Sequence, residues 1–84
     1  MSSPVRVIVF KDGDIFVAQC LEVDIAAQGA TEAEAGIRLQ AAFAAEQEEA
    51  RISGRNFMDI GPAPAVFQSA YDIDVVSKTQ LQAA

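Results

Sequence analysis

The chain has 84 residues, a formal charge of −6 at pH 7 and no histidine. That length holds one domain with a thin stability margin. The acidic excess opposes nonspecific nucleic-acid binding, which depends on lysine and arginine neutralising phosphates, and the missing histidine removes the commonest general base and metal ligand.

Residues 5–10 read Val-Arg-Val-Ile-Val-Phe and residues 15–20 read Ile-Phe-Val-Ala-Gln-Cys. Two β-branched, apolar runs around Asp12-Gly13 predict a hairpin with those two residues as its loop. Phe10 would then face Ile15, and Val9 would face Phe16. One face of the hairpin carries Val5, Val7, Val9, Phe16, Ala18 and Cys20. The other carries Arg6, Ile8, Phe10, Ile15, Val17 and Gln19. Neither face is polar, whereas a sheet with one wet face alternates apolar and polar residues. One helix covers one face only, so a second cover is expected over Ile8, Phe10, Ile15 and Val17. These four are the candidate interface of a homo-oligomer, most simply a dimer. The alternative is an intrachain cover supplied by Pro64–Tyr71.

Leu21–Asp24 connect to a short third strand over Ile25–Gln28, which Gly29 ends. Thr31 and Glu34 form a capping box, in which the hydroxyl takes the Glu34 amide and the glutamate returns to the cap amide. A helix is predicted from Glu32 to about Ile52. Wrapped at 100° per residue, Ala35, Leu39, Ala42 and Phe43 make a narrow stripe suited to a sheet. Glu46 falls within that stripe, so the helix should overhang the core there or Glu46 should have a partner. Ile37, Ala41 and Ala44 lie on the opposite side. Ordinary solvated helix surface is the first reading of them, and a partner-binding stripe is the second. Gly54 and Gly61-Pro62-Ala63-Pro64 mark a loop, Ala65–Ala70 a helical turn, and Ile73–Val76 a fourth strand. The tail, 77–84, is polar and expected to fray. The domain thus spans 1–84, with its core over about 5–76.

Little in this order suggests catalysis. Cys20 sits on the more apolar hairpin face with no histidine to activate it, which reads as an inert buried thiol. A lone cysteine also excludes an internal disulfide framework and fits a reducing compartment. Asp12, Asp14, Glu22 and Asp24 fall at opposite ends of the second strand, roughly 20–30 Å apart at the usual rise per residue, too far to share a metal. Neither a catalytic residue nor a cofactor or metal is expected. Glu46, Glu48 and Glu49 are a solvated acidic face by default and a candidate patch for a basic partner otherwise. With neither a signal-peptide pattern nor a long apolar run, a cytoplasmic setting without membrane contact is expected.

The string from Phe16 to Ala35, "FVAQCLEVDIAAQGATEAEA", resembles the segment shared by HicB-like antitoxin domains. Its matching positions are Phe16-Val17-Ala18, Cys20 to Asp24, Gly29, Thr31, Glu34 and Ala35, with Leu39, Ala42 and Phe43 continuing into the helix. Two positions depart: Gly36 stands where the family usually has a large apolar residue, and Glu46 where it often has an aromatic or aliphatic one. The resemblance implies an α+β domain of β-β-β-α-β order, similar to a reduced ribonuclease H-like fold without its catalytic carboxylates. It also implies a binding protein that masks a small basic endoribonuclease toxin of the HicA type, which cleaves messenger RNA. A stand-alone homo-oligomer of the same fold, acting as scaffold or small-ligand binder, is the other expectation. Many such antitoxins carry a further DNA-binding module. This sequence offers no second domain and no basic recognition element, so direct nucleic-acid binding is not expected.

Overall fold

The first hairpin closes one residue further along than Asp12-Gly13 predicts, which slides the strand register by two. In a computed structural model, which describes residues 3–70 and 75–83, strand β1 (Ser3–Asp12) pairs antiparallel with β2 (Ile15–Cys20). Asp12 faces Ile15, and Phe10 faces Val17, not Ile15. The loop is therefore Gly13-Asp14. Its only left-handed residue is Gly13, at φ 62°, since no non-glycine residue among those described has positive φ. A loop centred on Asp12-Gly13 would force Asp12 into that region. Placing glycine first avoids the cost and leaves Asp12 in the strand. A slide of two preserves every inside-outside assignment, because side chains alternate with period two.

β3 (Ala26–Gly29) pairs antiparallel with β2, and β4 (Ser77–Ala83) pairs antiparallel with β1. The sheet order is β3-β2-β1-β4. With one main helix, α1 (Glu32–Ser53), the protein is α+β. The tail expected to fray is β4 itself. Of the strand expected over Ile73–Val76, Val75 and Val76 lie outside any strand, and the first two residues fall outside the described residues. β4 is polar because it is an edge strand needing few apolar contacts. Leu81 and Ala83 lie opposite Val5 and Ser3 and reach the core, while Lys78, Gln80 and Gln82 on the other face are exposed.

The core lies between α1 and the face bearing Val5, Val7, Val9, Ala18 and Cys20. The helix starts where the sequence places it. Thr31 has extended backbone, and its hydroxyl accepts from the Glu34 amide at 3.1 Å. The Glu34 carboxylate reaches back one residue further than a capping box predicts, accepting from the Ala30 amide at 3.1 Å. Gly54 ends the helix at φ 69°, its amide turned back to the Ala50 and Arg51 carbonyls. α1 lies over β3 and β2 and buries Ala35, Leu39, Phe43 and Ala50. Ala42 is only partly buried. The buried line steps by four from residue 35 to 43 and meets the core again at Ala50, which leaves Glu46 just off it and exposed. So the helix does not overhang at Glu46. Its end packs on the 3₁₀ turn Phe57–Ile60, where Phe57 meets Phe43 edge to face at 5.0 Å.

Gly36 gains nothing from lacking a side chain. A Cβ there would meet no atom within 4 Å. Gly36→Ala is expected to raise stability by about 0.5–1 kcal/mol, since alanine removes unfolded-chain freedom at a helical position. Urea unfolding of the variant checks this.

Candidate functional site

The second sheet face is where a partner surface was expected, and the chain covers much of it. The short helix α2 (Ala65–Ala70) buries none of its own residues. Yet Phe67 stacks on Phe10 at 5.8 Å between ring centroids. Gln68 donates to the Leu21 carbonyl at 2.8 Å and accepts from Arg6 at 3.2 Å. The preceding loop is pinned too, by Asp24 N–H to the Gly61 carbonyl and Ala63 N–H to the Leu21 carbonyl. Of the four candidate interface residues, Ile8 is 0% and Val17 9% exposed within the single chain, while Phe10 and Ile15 are half-buried. Ile8 and Val17 are thus core residues here. A second copy docking on this face would touch mainly Phe10 and Ile15. The 61–70 segment folds back onto this side at Phe10, Arg6 and Leu21, in the manner of the intrachain alternative.

Arg6 anchors this cover. Its guanidinium donates to Glu22 Oε2 at 2.8 Å, and its backbone amide donates to Glu22 Oε1 at 2.6 Å. Partial burial pushes the Glu22 carboxyl up, but the Arg6 hydrogen bonds and charge outweigh it, so the group sits below the ordinary carboxylate value. A depressed folded value contributes stability above the unfolded value of 4.5 and loses it as pH falls through the folded value. Glu22→Gln should therefore cost about 1–2 kcal/mol at neutral pH and flatten the loss of stability below about pH 4.5. Thermal melts of both proteins from pH 3 to 7 would show it. Gln19, on the same face, is 4% exposed and satisfied by the Cys20 carbonyl at 3.0 Å and Asp24 Oδ1 at 3.1 Å.

The Cys20 thiol is pushed up to about 12, first by burial and then by the Glu22 charge. It is neutral and unreactive at physiological pH. Among the described residues no group of three His, Cys, Asp or Glu side chains is placed to hold a metal ion.

The acidic cluster does not form one face. Glu48 holds Arg51 through two contacts at 3.0 and 2.5 Å. Glu49 accepts from Ser53 at 3.1 Å and pairs with Arg55 at 3.6 Å. Glu46 makes no hydrogen bond or ion pair among the described residues and borders a separate groove near Asp59 and Ile60. A larger hollow of about 610 Å³ lies between the end of α1, the 3₁₀ turn and the start of β1, lined by Gln47, Glu48, Arg51, Arg55 and Asn56 among others. Gln47 lines that hollow, and its Nε2 is buried without a hydrogen-bond partner among the described residues. No helix among the described residues is long and apolar enough to cross a membrane.

Sequence reasoning missed the Arg6–Glu22–Gln68 clasp. The available signal was Arg6, a charge inside a β-branched strand on a face that must be covered. No family model, no curated protein and no solved structure matches this chain.

Proposed function

We propose that this chain is a non-enzymatic binding protein of the HicB-like antitoxin type, which docks on a small basic HicA-type ribonuclease and masks its messenger-RNA-cleaving site in the cytoplasm. The reading is carried by the strand-to-helix junction, where three residues of the resembling string have a structural task. Gly29 lies against the first turn of α1, Thr31 caps it, and Ala35 is fully buried beneath it. The net charge of −6 favours a basic partner. On α1 the three carboxylates Glu46, Glu48 and Glu49 are exposed, with Glu46 the one not tied to arginine. The test is capture from native lysate at low salt, with masses assigned to whatever binds. A small basic protein, released at high salt and lost in the Glu46→Lys, Glu48→Lys, Glu49→Lys triple variant, is the expected result. Recovery of this chain alone would favour the second reading, a stand-alone homo-oligomer, to which the exposed apolar side of α1 lends support.

A further inference from the structure

The outward side of α1 is apolar at both ends and small in the middle. Ile37 and Ile52 are each 67% exposed. Between them Ala41, Ala44 and Ala45 are exposed as well. At 100° per residue these five fall in a strip about 100° wide. Between the two isoleucines the strip holds one charge, Glu48, which is folded onto Arg51. The midpoint of Ile37 and Ile52 falls between Ala44 and Ala45, where small side chains permit two backbones to approach closely.

The charges beside the strip select the occupant. We propose that the outward face of α1 binds a second copy of this chain, the two helices running antiparallel about a two-fold axis at Ala44 and Ala45. Ile37 of each copy then packs against Ile52 of the other, and Ala41 receives the stem of Glu48. The charges fit the same arrangement. Arg38 and Glu49 flank the strip on one side, about 20° apart around the helix. An antiparallel two-fold brings like flanks together, the geometry in which flanking charges of paired helices choose orientation. Each Arg38 then lies beside Glu49 of the second copy, offset by about two residues, or ~3 Å. A parallel pair in register would set Arg38 beside Gln40 and Glu49 beside Arg51, already held by Glu48, and would align the two helix dipoles. Within one chain Arg38 pairs with Glu34 at 3.2 Å and Glu49 with Arg55 at 3.6 Å. Both pairs are solvent-exposed and exchange at little cost.

This proposal does not depend on the toxin-binding reading, and its test uses the purified full chain alone. Sedimentation velocity from 1 to 100 μM should show a dimer, to use a concentration range in which two-helix contacts of this kind form, on the order of micromolar. Ile37→Glu and Ile52→Glu should each give a monomer with unchanged circular dichroism, because both sites are exposed. Arg38→Glu should weaken association about tenfold, and adding Glu49→Arg should restore it. Ala44→Cys should cross-link two chains under mild oxidation, Cys20 being buried. A monomer at every concentration with no cross-link overturns the proposal. So does a dimer that survives Ile37→Glu and Ile52→Glu. Failure of the charge exchange to restore association overturns the antiparallel geometry.

Discussion

Gly29→Ala is expected to destabilise the protein by about 3 kcal/mol, the upper end of the usual range for overpacking. A Cβ at that position would lie 2.5 Å from the Ala35 amide nitrogen and 2.9 Å from the Glu34 carbonyl carbon. Both are backbone atoms of the first helical turn. They cannot swing aside as a side-chain end would, so either β3 or the start of α1 must move. The cost is steric and not conformational, since Gly29 is not among the positive-φ residues. Against a total of roughly 4–12 kcal/mol for a domain of this size, such a loss is severe. It corresponds to a fall in melting temperature of about 12–24 °C. A shift under about 2 °C would mean that the junction is looser than the close approach implies. Gly36→Ala, seven residues on, makes a direct control, because it adds the same methyl group where space is open.

Phe43→Ala should cost about 3–5 kcal/mol. Phe43 is 5% exposed and sits mid-helix in the core, with Phe57 edge-on at an interplanar angle of 73°. Its loss leaves a cavity under α1 and frees the 3₁₀ turn, since Phe57 is that turn's only buried residue. Phe57→Ala should also be costly, and the double variant should show a coupling of about 0.5–1.5 kcal/mol beyond burial. Urea unfolding of the four proteins of this cycle measures both quantities. Strictly additive losses would show that the two rings contribute only as separate apolar bodies.

The parts of the fold written in local pattern were legible, and those set by long-range pairing were not. Period-two alternation assigned Val5, Val7, Val9, Ala18 and Cys20 to the core face correctly, even though the hairpin register slid by two. Thr31 and Glu34 located the helix start because capping is a contact between near neighbours. β4 was missed because Ser77–Ala83 is polar and becomes a strand only by pairing with β1, far away in sequence. Apolarity drew the expected strand to Ile73–Val76, where the pattern was stronger, but Val75 and Val76 lie just before β4, with the Val76 amide donating to the Val9 carbonyl at 2.7 Å. The cover over Ile8 was left between a second copy and the chain itself. Ile8 and Val17 are buried within the single chain, and Phe67 and Gln68 reach the same side through contacts with Phe10, Arg6 and Leu21 that no local rule encodes. The acidic cluster was legible as composition only. Pairing of Glu48 and Glu49 with Arg51 and Arg55 depends on rotamers and the loop after Gly54.

The most direct test of the binding reading is stoichiometric inhibition. The small basic protein captured at low salt is purified free of this chain, and its cleavage of messenger RNA is followed as this chain is titrated back. Cleavage that ceases at a fixed molar ratio, and that persists when the Glu46→Lys, Glu48→Lys, Glu49→Lys variant is added instead, is the predicted result. Cleavage unaffected by a molar excess of the folded chain would contradict the account.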